Sequence, residues 1–293
     1  MSVVIPIFND TTALAELIRR LYHTSDQQGI NTELLLVDDG STGTAWENLK
    51  SLKAAHMERE IILLRLAENS GQHNATLCGL LQAKGDVLIT MDADLQHPPE
   101  AIPLLLSQLQ QQKLDLVYGS AQAGHPWPRR FASKIFKKLT QKIGAPAIHG
   151  SAFRVMRAGL VRHLTDNPKQ PFTVIDSILR KKAAGMASLT VEHHIRRHGK
   201  SSYNWSRLVL MAVNIITGAP QFLYLLRFMA ACMTALGTML LWASMMSHSA
   251  EDTTRGLGLF LGGALLLLLS QWMRRQRRKI SAKPRFTLQE EIR

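Results

Sequence analysis

Two uncharged apolar runs near the C-terminus constrain this chain more than any other feature in it. Phe228–Ser247 is 20 residues without a charge, and Gly256–Met273 is a second uncharged run of 18, rich in leucine. As helices rising about 1.5 Å per residue, both approach the ~30 Å thickness of a bilayer's hydrocarbon layer. Only His248–Arg255 separates them, and Arg274, Arg275, Arg277, Arg278 and Lys279 follow the second run. Cationic flanks stay on the cytoplasmic side, so the pair reads as a hairpin with both ends inside. The alternative is two buried helices of a soluble domain.

Charge is divided along the chain. The formal net charge is +13, yet residues 1–115 carry 8 Lys/Arg against 15 Asp/Glu, and the remainder carries 27 against 7. The acids lie where the chemistry is expected, and the bases lie where the chain approaches something anionic. Basicity alone suits nucleic acid, but here the base-rich segments flank the apolar runs, so a membrane surface is the expected partner and nucleic acid is not. Cys78 and Cys232 are the only cysteines, which excludes a disulfide framework and a cysteine zinc site. Met1 leads straight into a strand-like run, and no secretory leader is read there.

Between residues 2 and 118 strand and helix patterns alternate, beginning and ending on a strand. Strands are expected at Ser2–Ile7, Glu33–Val37, Ile61–Leu66, Asp86–Met91 and Leu114–Tyr118, and helices at Thr12–Tyr22, Thr44–His56, Gln72–Ala83 and Pro99–Gln112. Such alternation predicts an α/β fold, a Rossmann-like doubly wound, mainly parallel sheet, whose ligands bind beyond the carboxyl ends of the strands. Asn9-Asp10, Asp38-Asp39 and Asp92/Asp94 all fall at such ends, so they are expected to converge. Residues 116–165 hold nine Lys/Arg and no acid. Within them, Arg129–Ile143 reads either as a helix lying on an anionic membrane or as an amphipathic helix packed on the sheet. Ser206–Gly218 is a second amphipathic segment.

Asp92-Ala93-Asp94 follows an apolar strand, so both carboxylates emerge on one side. With Gln96 nearby, they form a hard oxygen set suited to Mg²⁺ or Mn²⁺ shared with substrate phosphates. Asp38 and Asp39 can accept hydrogen bonds from a nucleobase or ribose, or one of them can cap the helix after Thr44. Arg196, Arg197 and Lys200 are either phosphate ligands or a solvated charge run. His73, His149, His193 and His194 are read as structural.

These motifs together resemble glycosyltransferase family 2, whose nucleotide-sugar-binding fold is called GT-A. The resemblance rests on Val3–Asn9, Val37–Thr42, Asn69–Ala75 and Asp92–Glu100. Arg129 with Ser133, Gly150–Arg157 and Arg196–Tyr203 look like the polyprenyl-phosphate branch. The pattern is most similar to enzymes that load a sugar onto undecaprenyl phosphate, the formamido-arabinose transferase type. Three departures lie on the acceptor and sugar side: Ala121-Gln122 after Gly119-Ser120, His149 before Gly150, and Lys200 before Ser201.

The resemblance implies inverting, metal-dependent transfer of a sugar from a nucleotide-sugar, UDP-linked, to polyprenyl phosphate at the cytoplasmic face of the inner membrane. The product would serve cell-envelope glycan or lipid A modification. It implies Pro6, Phe8, Asn9, Asp38, Asp39, Asn69, Gly71, Gln72, Asp92 and Ala93 at the nucleotide-sugar, and Asp92, Asp94 and Gln96 at the Mg²⁺ or Mn²⁺ ion. Arg129, Ser133, Arg196, Arg197 and Lys200 would sit at the acceptor phosphate, with Asp92, Asp94, Arg129 and Ser133 as the catalytic set. The expected division is a cytoplasmic catalytic domain over 1–205, a juxtamembrane helix over 206–220, two spans within 221–273 and a basic cytoplasmic tail over 274–293. A homo-oligomer is compatible with this pattern. A polysaccharide synthase is disfavoured because no Gln-x-x-Arg-Trp motif is present. A membrane-tethered binding protein is disfavoured because both acidic clusters are intact.

Overall fold

The computed structural model describes residues 1–121, 151–162, 175–192, 220–247, 250–282 and 286–293. They fall in two compact units, the second consisting of residues 220–247 and 250–282 and the first of all the others. The amphipathic segments expected at Arg129–Ile143 and Ser206–Gly218 lie outside the described residues.

The first unit is built on an eight-stranded sheet. Its strands are β1 (Ser2–Ile7), β2 (Glu33–Asp38), β3 (Ile61–Leu66), β4 (Val87–Thr90), β5 (Leu116–Ala121), β6 (Arg154–Arg157), β7 (Met186–Val191) and β8 (Leu288–Ile292), in the order β7-β5-β6-β4-β1-β2-β3-β8. β3, β2, β1 and β4 run parallel, and β5 pairs in parallel with β7. β6 lies antiparallel between β4 and β5, and β8 lies antiparallel on β3. The helices are α1 (Leu14–Gln27), α2 (Ala45–Ala54), α3 (Gln72–Gln82), α4 (Ile102–Gln111), α5 (Ala158–Arg162) and α6 (Ile175–Lys182).

The four parallel strands form because both of their faces are covered, which selects continuous apolar runs. Val3, Ile5, Ile7, Leu34 and Leu36 pack on one face with α1, Trp46 of α2 and α4. Val4, Leu35 and Val37 pack on the other with α3 and Ile175 of α6. Helix α1 runs past the expected Tyr22 to Gln27, and the buried hydroxyls of Thr24 and Ser25 find their acceptors within it, donating back to the carbonyls of Arg20 and Leu21. β6, β7 and β8 are not among the strands expected from the sequence; β7 and β8 form the two edges of the sheet, and β6 is inserted between β4 and β5.

β1 and β4 pair only over Ser2–Val4, while β1 stays paired with β2 to Ile7. The carboxyl ends of β1 and β4 therefore separate. In this class of sheet such a split is where the ligand crevice opens. Pro6, which has no N–H to give, sits on this unpaired stretch.

The second unit is α7 (Pro220–Ser247) and α8 (Ala250–Ala282). Leu226–Met246 and Thr253–Arg275 have mean hydropathies of 1.6 and 1.7 and are each long and apolar enough to cross a membrane. Only 17% of each window is buried, unlike a core helix of a soluble protein. The helices pack antiparallel, with Gly256 against Leu241 and Gly263 against Ala230 and Thr234. A Cβ on Gly237 would lie 2.6 Å from the Phe260 nitrogen, so glycine is what permits this approach. Trp242, Met245, Leu265 and Leu268 face outward and are exposed.

Candidate active site

The loops after β1, β2, β3 and β4 are joined into one rim by hydrogen bonds. At the end of β1, Asn9 is held at φ 62, a conformation Asn tolerates better than most side chains. Its N–H donates to Ser41 Oγ at 2.8 Å, and its Oδ1 accepts from the Thr42 N–H at 2.9 Å. Phe8 beside it is 48% exposed, an aromatic surface at the mouth of the crevice.

At the end of β2 both aspartates turn inward. Asp38 is wholly buried. Its Oδ1 accepts from the Ser41 N–H at 3.0 Å, and its Oδ2 lies 3.4 Å from Arg65 Nε, a charge contact without hydrogen-bond geometry. Asp39 is 3% exposed and accepts from the N–H groups of Ser70 at 2.7 Å and Gly71 at 3.0 Å. Burial pushes Asp39 up to about 6, with a contribution from the Asp38 charge, against the two N–H donors that favour the carboxylate. Gly40 lies between these loops at φ 66, and a Cβ there would sit 2.5 Å from the Glu68 carbonyl carbon. The β2 and β3 loops are thus locked together.

The rim continues into β4. Gln72, the first residue of α3, donates from Nε2 to Asp92 Oδ1 at 2.6 Å. Leu95 takes a left-handed φ of 59 and reverses the chain, so the Gln96 N–H donates to Asp94 Oδ1 at 3.1 Å. A left-handed β-carbon-bearing residue costs about 1–2 kcal/mol, and burial of the Leu95 side chain in the larger core cluster holds it there. Asp92, Ala93, Asp94 and Gln96 are all half-buried. The His97 ring packs against Phe153 at a 45° tilt with centroids 5.4 Å apart, and its Nε2 lies 3.3 Å from Ser151 Oγ, tying this loop to the start of β6.

Beneath β4 lies a network that sequence reasoning did not find. Arg154 donates from Nε and Nη2 to the two carboxylate oxygens of Asp176 at 2.7 and 2.8 Å, and from Nη1 to Thr90 Oγ1 at 3.0 Å. The Tyr118 hydroxyl donates to Asp176 Oδ1 at 3.0 Å. Burial works against ionisation of Asp176, but the Arg154 hydrogen bonds and charge outweigh it and hold the carboxyl below its usual range. His73 is pushed down by burial and by Arg154. The sequence offers no local signal for this site, because Arg154 opens a short strand, Arg154-Val155-Met156-Arg157, with an arginine at each end.

Of the residues singled out from sequence, Pro6, Phe8, Asn9, Asp38, Asp39, Asn69, Gly71, Gln72, Asp92, Ala93, Asp94 and Gln96 all lie on this rim or directly under it. Phe8, Asn9, Asn69 and Gln72 are exposed, and Asp38 and Asp39 are buried. Arg129, Ser133, Arg196, Arg197 and Lys200 lie outside the described residues.

A mainly parallel sheet with an acidic rim built from the loops at its strand ends places the first unit in the doubly wound α/β class. Within that class, residues 2–157 match the family described as Glycosyl transferase family 2, and the chain belongs to that family. It is similar to the undecaprenyl-phosphate 4-deoxy-4-formamido-L-arabinose transferase of Aeromonas hydrophila subsp. hydrophila, at 35% identity over 222 residues, 74% of this chain and 67% of the relative. A protein of the same description from Pseudomonas fluorescens is 30% identical over 310 aligned positions, covering 100% of this chain and 90% of its own. This chain is a glycosyltransferase.

Two solved structures share the fold, GT-A. Glucosyl-3-phosphoglycerate synthase from Mycobacterium tuberculosis, in complex with Mn²⁺ and UDP-glucose, superimposes with a TM-score of 0.50 at 18% identity over 74% of this chain and 76% of its own. A mannosyltransferase from Pyrobaculum calidifontis, in complex with GDP-mannose and Mn²⁺, gives 0.51 at 15% identity over 95% and 73%.

Proposed function

We propose that this glycosyltransferase moves one sugar from a UDP-linked donor to undecaprenyl phosphate, with inversion at the anomeric carbon, at the cytoplasmic face of the inner membrane. The product would feed cell-envelope glycan or lipid A modification. The observation that carries the reading is the continuous rim, Asn9 to Ser41 and Thr42, Asp39 to Ser70 and Gly71, and Gln72 to Asp92. It gathers the four loops into one crevice, and the names of the relatives supply the acceptor.

Phe8 offers a stacking face for the nucleobase, and Asn9 and Asn69 offer amide groups at the same mouth. Asp39, through the acceptor positions its two backbone donors leave open, is assigned to the nucleoside. Asp38 supports it from within. Asp92, Asp94 and the Gln96 amide are hard oxygen donors, a set that fits Mg²⁺ or Mn²⁺. When bound, such an ion supplies charge neutralisation at the departing diphosphate. Gln72 would restrain the Asp92 carboxylate through the hydrogen bond its Nε2 donates to Oδ1.

The acceptor is an ionised phosphate at pH 7, since its second pKa is about 6, so its oxygen attacks the anomeric carbon without a strong base. The new bond is between that carbon and the acceptor phosphate oxygen, and the bond that breaks is to the donor diphosphate. Arg129 and Ser133, with Arg196, Arg197 and Lys200, are assigned to grip the acceptor phosphate; arginine matches phosphate bidentately. Catalysis is then positioning and charge stabilisation. α7 and α8 are assigned as two spans. The return of the chain to the sheet as β8 after them supports a hairpin with both ends on the catalytic side.

The test is a donor panel. Full-length protein in detergent is incubated with undecaprenyl phosphate, Mg²⁺ or Mn²⁺ and labelled UDP-, GDP- and dTDP-sugars. Label entering the lipid phase from a UDP-sugar, and only with the cation, is the expected result; label entering without cation would remove the metal assignment.

A further inference from the structure

β8 meets the β2 and β3 loops at two points. The Ala67 N–H, the first after β3, donates to the Thr287 carbonyl at 2.9 Å, where the loop leading to Ser70 and Gly71 begins. Further along, Glu290 stands opposite Arg65 in the β3–β8 register, which shifts between Arg65 and Leu66. Such bulges re-aim side chains. Glu290 Oε2 accepts from Trp46 Nε1 at 3.1 Å. Arg65 places its guanidinium carbon 5.4 Å from the centre of the Trp46 ring and its Nε 3.4 Å from Asp38 Oδ2.

Asp38 is the last residue of β2, and Trp46 is the second of α2. The cluster of Arg65, Trp46 and Glu290 therefore fastens both ends of the loop that carries Asp39. That loop in turn holds the next one through Ser70 and Gly71.

We infer that β8 is a positioning element of the donor site, with Glu290 its positioning residue, acting through Trp46 on the loop from Asp39 to Ala45. The inference rests on the reading of these loops as the nucleotide-sugar site. It follows that the donor site is completed by residues that follow both apolar helices in the chain. Capping of the open β3 edge would by itself account for an antiparallel strand there. It does not call for a carboxylate turned onto a tryptophan that is 3% exposed.

The experiment titrates UDP, GDP and CDP with Mn²⁺ into full-length protein in detergent by calorimetry, for wild type, Glu290→Ala, Glu290→Gln, Trp46→Phe and the Ala/Phe double variant. Glu290→Ala and Trp46→Phe are each expected to weaken binding of the preferred nucleotide about fivefold, the effect of one net hydrogen bond. The double variant should be no weaker than either single one. Glu290→Gln keeps an acceptor oxygen for Trp46 and should bind like wild type. The donor KM should rise in the same ratio, with the acceptor KM and kcat at saturating donor unchanged.

A lower melting temperature with unchanged nucleotide affinity would reduce β8 to an edge cap and overturn the inference. Should Glu290→Ala fail to fold, unchanged affinity in folded Trp46→Phe would overturn it equally. Wild-type protein that binds none of the three nucleotides would instead sink the donor-site reading itself, and the inference with it.

Discussion

Asp176→Asn should destabilise the catalytic unit far more than an ordinary surface change. The side chains of Arg154 and Asp176 are 5% and 6% exposed, and they share two hydrogen bonds of 2.7 and 2.8 Å. Removing one charge leaves the other buried and uncompensated, at a cost of about 3–5 kcal/mol. For a domain of roughly 150–250 residues, each kcal/mol shifts Tm by about 2–4 °C, so a fall of about 6–20 °C is expected. Arg154→Met should act similarly by stranding the carboxylate. The double variant Arg154→Met/Asp176→Leu replaces the pair by apolar groups and should recover most of the loss.

The sign of the pH dependence follows from the depressed carboxyl. The advantage of wild type over Asp176→Asn is fully present above the unfolded value of about 3.9 and is lost as pH falls through the lower folded value. The assay is thermal denaturation of full-length protein by intrinsic fluorescence, at one detergent and one scan rate, at pH 7.5 and at lower pH. Single variants within about 1 kcal/mol of wild type, or a double variant no better than the worse single, would refute the reasoning.

Asp94→Asn should lower transfer roughly a hundredfold or more while circular dichroism stays unchanged, because a half-buried strand-end carboxylate adds little to the core; near-normal turnover in Mg²⁺ or Mn²⁺ would end its assignment. Asp39, lifted to about 6, favours its protonated form in the folded protein. The Tm of wild type relative to Asp39→Asn should therefore be highest below about pH 4 and decline as pH rises through 6; a flat difference across that window would contradict the burial. Arg129→Ala should raise the acceptor KM by the equivalent of about 2–5 kcal/mol and leave donor affinity alone, and calorimetry showing the reverse would move Arg129 to the donor side.

The first four strands were legible because each is buried on both faces, so Val3-Val4-Ile5 and Leu34-Leu35-Leu36-Val37 stand out as apolar runs ending in polar clusters. The convergence of those clusters followed from strand direction alone. β6 was not legible. Arg154-Val155-Met156-Arg157 looks like a surface segment until Asp176 arrives to pair with Arg154 inside the fold. β8 was hidden for a related reason: Gln289, Glu290 and Glu291 read as a solvated tail, and their strand character depends on the open edge of β3 and on Trp46.

The sequence points to the aspartates at the end of β2 as candidate site residues, but it does not give their orientation. Sequence identifies a carboxylate at a strand end. It does not say that its oxygens face Ser41, Arg65, Ser70 and Gly71.

The central claim is transfer of one sugar to a polyprenyl phosphate. The direct measurement is mass spectrometry of the lipid extract after full-length protein has acted on undecaprenyl phosphate and the preferred UDP-sugar, with nucleoside diphosphate release counted alongside. One glycosyl unit per lipid phosphate, one UDP released per product, and an anomeric configuration opposite to the donor's are the expected results. UDP release without a glycosylated lipid, or a ladder of several sugars per lipid, would contradict the account.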